Sequence, residues 1–132
     1  MSLSPERLDR FARHIVLPEI GGAGQIALAK KHLVLVGLGG IGSPALQYLA
    51  GAGIGKLTLV DDDRVDASNL QRQTLFNERD IGHGKAVIAK RWVTGFDPEL
   101  DVQISDRRIT VANAPDLVIG AVLIPGAAAP KL

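Results

Sequence analysis

Leu33-Val34-Leu35-Val36 and Leu57-Thr58-Leu59-Val60 are short, nearly continuous apolar runs. Runs of this kind read as strands of a parallel sheet covered on both faces. Between them, residues 43–52 carry apolar side chains at helical spacing, with Leu46 and Leu49 inward and Gly53 as the stop. The order is strand, glycine-rich turn, helix, strand, within about thirty residues, the length of a βαβ unit. Downstream, residues 85–93 predict a second helix, Asp97-Pro98-Glu99 a turn, residues 102–104 a third strand and residues 117–123 a fourth. Residues 62–84 hold few aliphatics and read as a long polar loop with a short helical piece near 69–75. Upstream, Ser4 and Pro5 look like the cap and first residue of a helix that places Leu8, Phe11, Ala12 and Ile15 on one stripe. Pro18 and Gly21-Gly22 end it, and a short helix over 24–30 follows.

This alternation predicts an α/β, three-layer domain with a mainly parallel sheet, truncated after about four strands. A parallel crossover needs roughly a dozen residues. Only twelve lie between Ile104 and Leu117, Pro115 among them, so any crossover helix there is stunted. The division expected is a helical segment over 1–30 and a nucleotide-binding unit over 31–132, a single domain overall.

The nucleotide enters through the turn. Gly37, Gly39 and Gly42 satisfy G-x-G-x-x-G after a strand and before a helix, which is the Rossmann arrangement. The first glycine permits the turn, the second lets backbone approach a phosphate, and the third lets helix and strand close up. Free N–H groups at the helix start then meet the anion. Asp61 ends the next strand nineteen residues after Gly42, where a ribose hydroxyl would be bound. The motif alone does not separate NAD from ATP.

Ser68-Asn69-Leu70-Gln71-Arg72-Gln73 adds a dense set of oxyanion and amide binders. Arg72 offers a planar fork for a phosphate. Asn69 can cap a helix or meet a ribose or phosphate oxygen. Lys85 opens a helix, where its charge opposes the dipole, and a nearby anion would account for it. An ordinary solvated surface is the competing reading. His14 and His83 read as surface histidines, and no His/Asp/Glu cluster has metal-ligand spacing on a recognisable helix.

Composition narrows the partners. The chain has 132 residues and a net charge of +1, which gives no field for general nucleic-acid binding. It has no cysteine, hence no disulfide, cysteine zinc site or thioester chemistry of its own. The start lacks a signal-peptide pattern and no apolar stretch reaches spanning length, so a cytoplasmic, membrane-free protein is expected.

At this point the residues match a family. Arg10-Phe11-Ala12-Arg13-His14-Ile15, Val36-Gly37-Leu38-Gly39-Gly40-Ile41-Gly42, Leu59-Val60-Asp61-Asp62-Asp63, the polar hexapeptide and Gly84-Lys85 resemble the ThiF/MoeB/HesA proteins, relatives of the ubiquitin-activating enzymes, over residues 7–104. The resemblance implies an ATP- and Mg²⁺-dependent adenylyltransferase that activates the C-terminal glycine of a ubiquitin-like sulfur-carrier protein. It implies Gly40 against the phosphates, Asp61 on the ribose with Asp63 beside it, and Asn69, Arg72 and Lys85 on the phosphates. Arg13 is implied as the arginine supplied to the partner's site in a homodimer, which makes Arg13, Arg72 and Lys85 the catalytic set. The family's aspartate after the fourth strand, which helps hold magnesium, has no counterpart here, and neither does its second half with its usual zinc-binding cysteine pairs. Weak catalysis by this chain alone is therefore expected. Residues 116–132 resemble instead the NAD-domain strand of alanine dehydrogenases. The alternative is thus a non-catalytic or chimeric module binding ATP or NAD.

Overall fold

β1 (His32–Val36) runs through the middle of a four-stranded, all-parallel sheet of order β3-β2-β1-β4 in a computed structural model that describes residues 2–105 and 116–120. β2 (Lys56–Val60) lies on one side of it, with Leu35 opposite Leu59, and β4 (Leu117–Gly120) on the other, with Leu35 opposite Ile119. β3 (Asp101–Ile104) extends the sheet beyond β2. The expected strand residues and their parallel sense are thus borne out. The stretch 106–115, the continuation of the fourth strand to 123 and the tail lie outside the described residues.

Helix α4 (Gly42–Gly51) connects β1 to β2, and α5 (Lys85–Phe96) leads into β3. Both connections advance in one direction across the sheet, so right-handed crossovers put both helices on one face. There they lie side by side, with Phe96 Cζ 3.9 Å from where a Cβ on Gly51 would stand. Leu46, Ala50, Ala89 and Val93 from these helices meet Leu33, Leu35, Leu57 and Leu59 in one core. β1 is buried throughout its centre, as its sequence predicts, but β2 alternates. Its Thr58 is half-buried and its hydroxyl meets His32 Nε2 at 2.7 Å. α5 also runs three residues past the predicted end, because Trp92 and Phe96 stack with centroids 5.0 Å apart and extend the side that faces α4.

The N-terminal helix is not continuous. Ser4 caps α1 (Pro5–Arg10) as expected, its hydroxyl accepting from Arg7 N at 3.2 Å. Phe11 then leaves helical geometry (φ −105°, ψ 16°) to enter the core, and a second short helix, α2 (Ala12–Ile15), follows. The predicted stripe is therefore broken, and Leu8 is left 46% exposed. α3 (Gly21–Ala29) starts three residues earlier than expected. Gln25 on α3 is buried, donates to Ala52 O at 3.0 Å and accepts from His14 Nδ1 at 3.2 Å. His14 is thus a bonded, half-buried link and not the surface histidine expected. Gly55 follows from the same docking, since a Cβ there would run into the carbonyl of Ala29. No described helix is long and apolar enough to cross a membrane.

Candidate functional site

The carboxyl ends of β1, β2 and β3 open into a cleft of about 810 Å³, a volume typical of small-molecule sites. The chain proceeds from β1 to β2 to β3 and then returns to β1's other side, so the strand order reverses at β1, whose carboxyl end forms one edge of the cleft. Val36, Val60 and Ile104 give it apolar wall, and Gly37, Gly39 and Gly40 form its rim.

The glycine loop has two kinds of glycine. Gly37 has φ 98°, a conformation strained for any side chain, and its N–H donates to Val60 O at 2.8 Å. Gly39 and Gly40 are not in the positive-φ region. A Cβ on Gly39 would lie 3.8 Å from Gln73 Nε2, and one on Gly40 3.8 Å from Arg72 Nε, both ordinary contacts. The fold itself therefore has room for a methyl group at 39 and 40. Gly42 stands inside the loop as the buried first residue of α4, outside the cleft lining. Ser43 beside it returns its hydroxyl to Gly39 O at 2.6 Å.

Asp61 clasps this loop. One carboxylate oxygen accepts from Leu38 N at 2.7 Å and the other from Asp63 N at 2.8 Å. Asp61, Asp62 and Asp63 all line the cleft, and their oxygens approach within 4.8 Å of one another. Asp62 and Asp63 are exposed, with no side-chain hydrogen bond or ion pair among the described residues.

The polar loop divides. Its helical piece consists of two 3₁₀ turns, Ala67–Asn69 and Glu78–Asp80, in place of the one expected over 69–75. Reciprocal capping dictates both: Asp66 accepts from Ser68, Asn69 Oδ1 accepts from Asp66 N at 2.9 Å, and Asp80 serves Asn77 in the same way. The Ser68 hydroxyl and N–H hold the Asp66 carboxyl below the usual carboxylate range. Asn69 is thereby engaged as a cap and is not among the cleft-lining residues. Arg72 does line the cleft; it is exposed and donates to Ser68 O at 3.2 Å. Lys85 lines it too, at the first position of α5, and is 5% exposed with no ion pair among the described residues. Arg13 is exposed on α2 and does not line the cleft.

Gln73 joins the site without being singled out by the sequence. It is buried, lines the cleft, and has a side-chain oxygen without a hydrogen-bond partner. Its place at the end of the polar hexapeptide was the available signal.

A family model for ThiF matches residues 11–126. The chain belongs to the ThiF family. The match carries the likeness beyond residue 104, through β4. Among curated relatives, the "SAMP-activating enzyme E1" of Haloferax volcanii is 41% identical over 92% of this chain and 45% of its own length. The "Probable molybdopterin-synthase adenylyltransferase" of Porphyra purpurea is 45% identical over 87% of this chain and 30% of its own. This ThiF-family chain thus spans less than half the length of the curated relatives it matches. Among solved structures, E. coli tRNA N6-threonylcarbamoyladenosine dehydratase, TcdA, in complex with ATP, superposes with a TM-score of 0.83 at 29% identity, covering 92% of this chain and 52% of that one.

Proposed function

We propose that this chain is the ATP-binding part of an adenylyltransferase that activates the C-terminal glycine of a ubiquitin-like sulfur-carrier protein. The observation that carries the reading is the convergence of a methyl-sized gap over Gly39 and Gly40 with Arg72 and the buried Lys85 in one cleft. Backbone N–H groups and cations on one side suit a polyphosphate, and an apolar wall at the strand ends suits a base. Residues 31–132 carry this unit, with 1–30 as the helical segment that brings Arg13. A cytoplasmic setting, with neither nucleic acid nor membrane as partner, goes with the reading.

The chain's own residues supply positioning and charge. Asp61 fixes the glycine loop and has lone pairs left for a ribose hydroxyl. Arg72 and Lys85 neutralise charge as pyrophosphate leaves and the carrier carboxylate joins the α-phosphate. Magnesium takes oxygen ligands, normally one or two carboxylates with phosphates. Asp62 and Asp63 are free carboxylates at the cleft and would hold it; when bound, the ion supplies further charge neutralisation at the phosphates.

Calorimetric titration tests the reading. ATP is expected to bind in the presence of magnesium. Arg72→Ala should weaken it by about 1.5–3 kcal/mol, the worth of a charge-assisted contact. Gly40→Ala should keep the unfolding temperature and lose ATP, since only the ligand requires that space. Absence of ATP binding by the wild type, or full affinity in both variants, would sink the proposal.

Arg13 is exposed, apart from the cleft, and without an ion pair among the described residues. We read it as serving the neighbouring site of a homodimer. Light scattering at tens of micromolar should then give twice the chain mass; a monomer under those conditions argues against the assignment.

A further inference from the structure

Gln73 is 2% exposed, and its Oε1 lies buried without a hydrogen-bond partner among the described residues. Its backbone is fixed on both sides: Gln73 N donates to Asn69 O at 2.9 Å, and Phe76 N donates to Gln73 O at 3.1 Å. Leu75 and Phe76, two and three residues on, are core residues, so the segment that carries the side chain is anchored. With the backbone held and the residue buried, the amide sits within the protein rather than in bulk water. It projects to the cleft, where its Nε2 stands 3.8 Å from the position a Cβ on Gly39 would occupy.

A buried amide with an unmet acceptor costs about 1–3 kcal/mol relative to a satisfied one. An apolar side chain of the same size would avoid that cost. A phosphate, itself only an acceptor, does not relieve the unmet Oε1, so the amide is held there for its other end, the NH₂, which no hydrogen bond among the described residues engages. What the amide presents beside Gly39 is an NH₂ group: two donors and no charge. Phosphate oxygens only accept, so this group matches them, and an amide turned the other way would set acceptor against acceptor.

We propose that the Gln73 NH₂ is a further phosphate donor, reaching over Gly39 to an oxygen of the bound nucleotide. The proposal rests on the ATP reading above and deepens it. Arg72 and Lys85 attract any anion, whereas a neutral donor anchored in the core adds geometry: it prefers an oxygen seated over the loop. Gln73 thus separates nucleotides carrying phosphate at that place from bare nucleosides.

The experiment is calorimetric titration of the wild-type chain, Gln73→Met and Gln73→Glu with ATP and with adenosine, alongside thermal unfolding. Gln73→Met should weaken ATP about tenfold, leave adenosine unchanged, and unfold at the same or a higher temperature. Gln73→Glu should weaken ATP about a hundredfold at neutral pH and recover towards Gln73→Met as the pH approaches about 5, where the new carboxyl begins to take up its proton. Retained ATP affinity in Gln73→Met, or parallel loss of ATP and adenosine, would overturn the inference while leaving the ATP reading standing. A fall in the unfolding temperature of Gln73→Met, or failure of either variant to fold, would show a structural role and overturn it equally. A wild type that binds neither ligand removes the ATP reading and this inference with it.

Discussion

Lys85→Met should abolish most nucleotide affinity, by about a hundredfold or more, and leave the fold as stable as before or more so. The ammonium sits at the first turn of α5, where the helix dipole disfavours it, and it is nearly withdrawn from solvent. Neither burial nor position favours a cation there, and no acid pairs with it among the described residues. A charge in that setting is expensive to the free protein and valuable to an anionic ligand, because the attraction acts across little water. Methionine keeps the length and apolar body and removes the charge. Titration with ATP and a thermal melt on the same sample check both halves. Unimpaired ATP binding would show that Lys85 points away from the ligand; a melt lowered by several degrees would show that its charge has a partner in the fold.

The second large effect concerns the attachment of the N-terminal helices. Arg7 Nη1 meets Asp97 Oδ1 at 2.7 Å and its Nε meets Glu99 at 3.0 Å, with Asp97 only 1% exposed. Arg7 also lies 4.8 Å from the centroid of Phe11. Burial alone would raise the Asp97 carboxyl's pKa, but the Arg7 hydrogen bond and charge, joined by the Glu99 N–H and the Arg10 charge, outweigh it and hold the pKa below the usual value. Arg7→Met leaves that carboxylate buried and unpaired and should cost on the order of 3 kcal/mol. The pH dependence has a definite sign. A carboxyl whose folded pKa is depressed stabilises the fold fully above its unfolded value, about 3.9, and that contribution is lost as pH falls through the folded value. The gap between wild type and Arg7→Met in chemical unfolding should therefore be full at pH 7 and close below about pH 4. A gap that persists undiminished into that acid range would locate Arg7's contribution in its stacking on Phe11.

These two sites also show how far the sequence could be read. Lys85 was legible because a cation in a first turn is a local misfit, visible without coordinates. So was the glycine loop, whose strand and helix neighbours are adjacent in the chain. The Arg7–Asp97 pair joins residues ninety positions apart and no local pattern announces it. The same holds for Gln25, which reads as one more polar residue on a weakly patterned helix and turns out to tie α2, α3 and the end of α4 together. The break at Phe11 escaped because helical spacing continues across it; only the pull of the core on that ring interrupts the helix. The sequence leaves Asn69 open as a cap or a ligand, and the geometry shows the cap. Asp61 stands in the sequence where a ribose acid is expected, and the fold gives it the task of holding the loop, which no sequence pattern announces. Gln73 lay within the motif that suggested the family, but burial and an unmet acceptor are properties of the folded chain alone.

The Asp61 clasp has a consequence for how a ligand arrives. Leu38 in the loop and Asp63 beyond β2 hang from the two oxygens of one carboxylate, so the rim of the cleft is set by bonds within the protein. A loop shaped by its ligand would surrender conformational freedom on each encounter, and tight binding would have to overcome that loss. Here the ordering is completed during folding. A ligand would meet a finished surface, with capture set by diffusion and orientation and discrimination by how long each one stays.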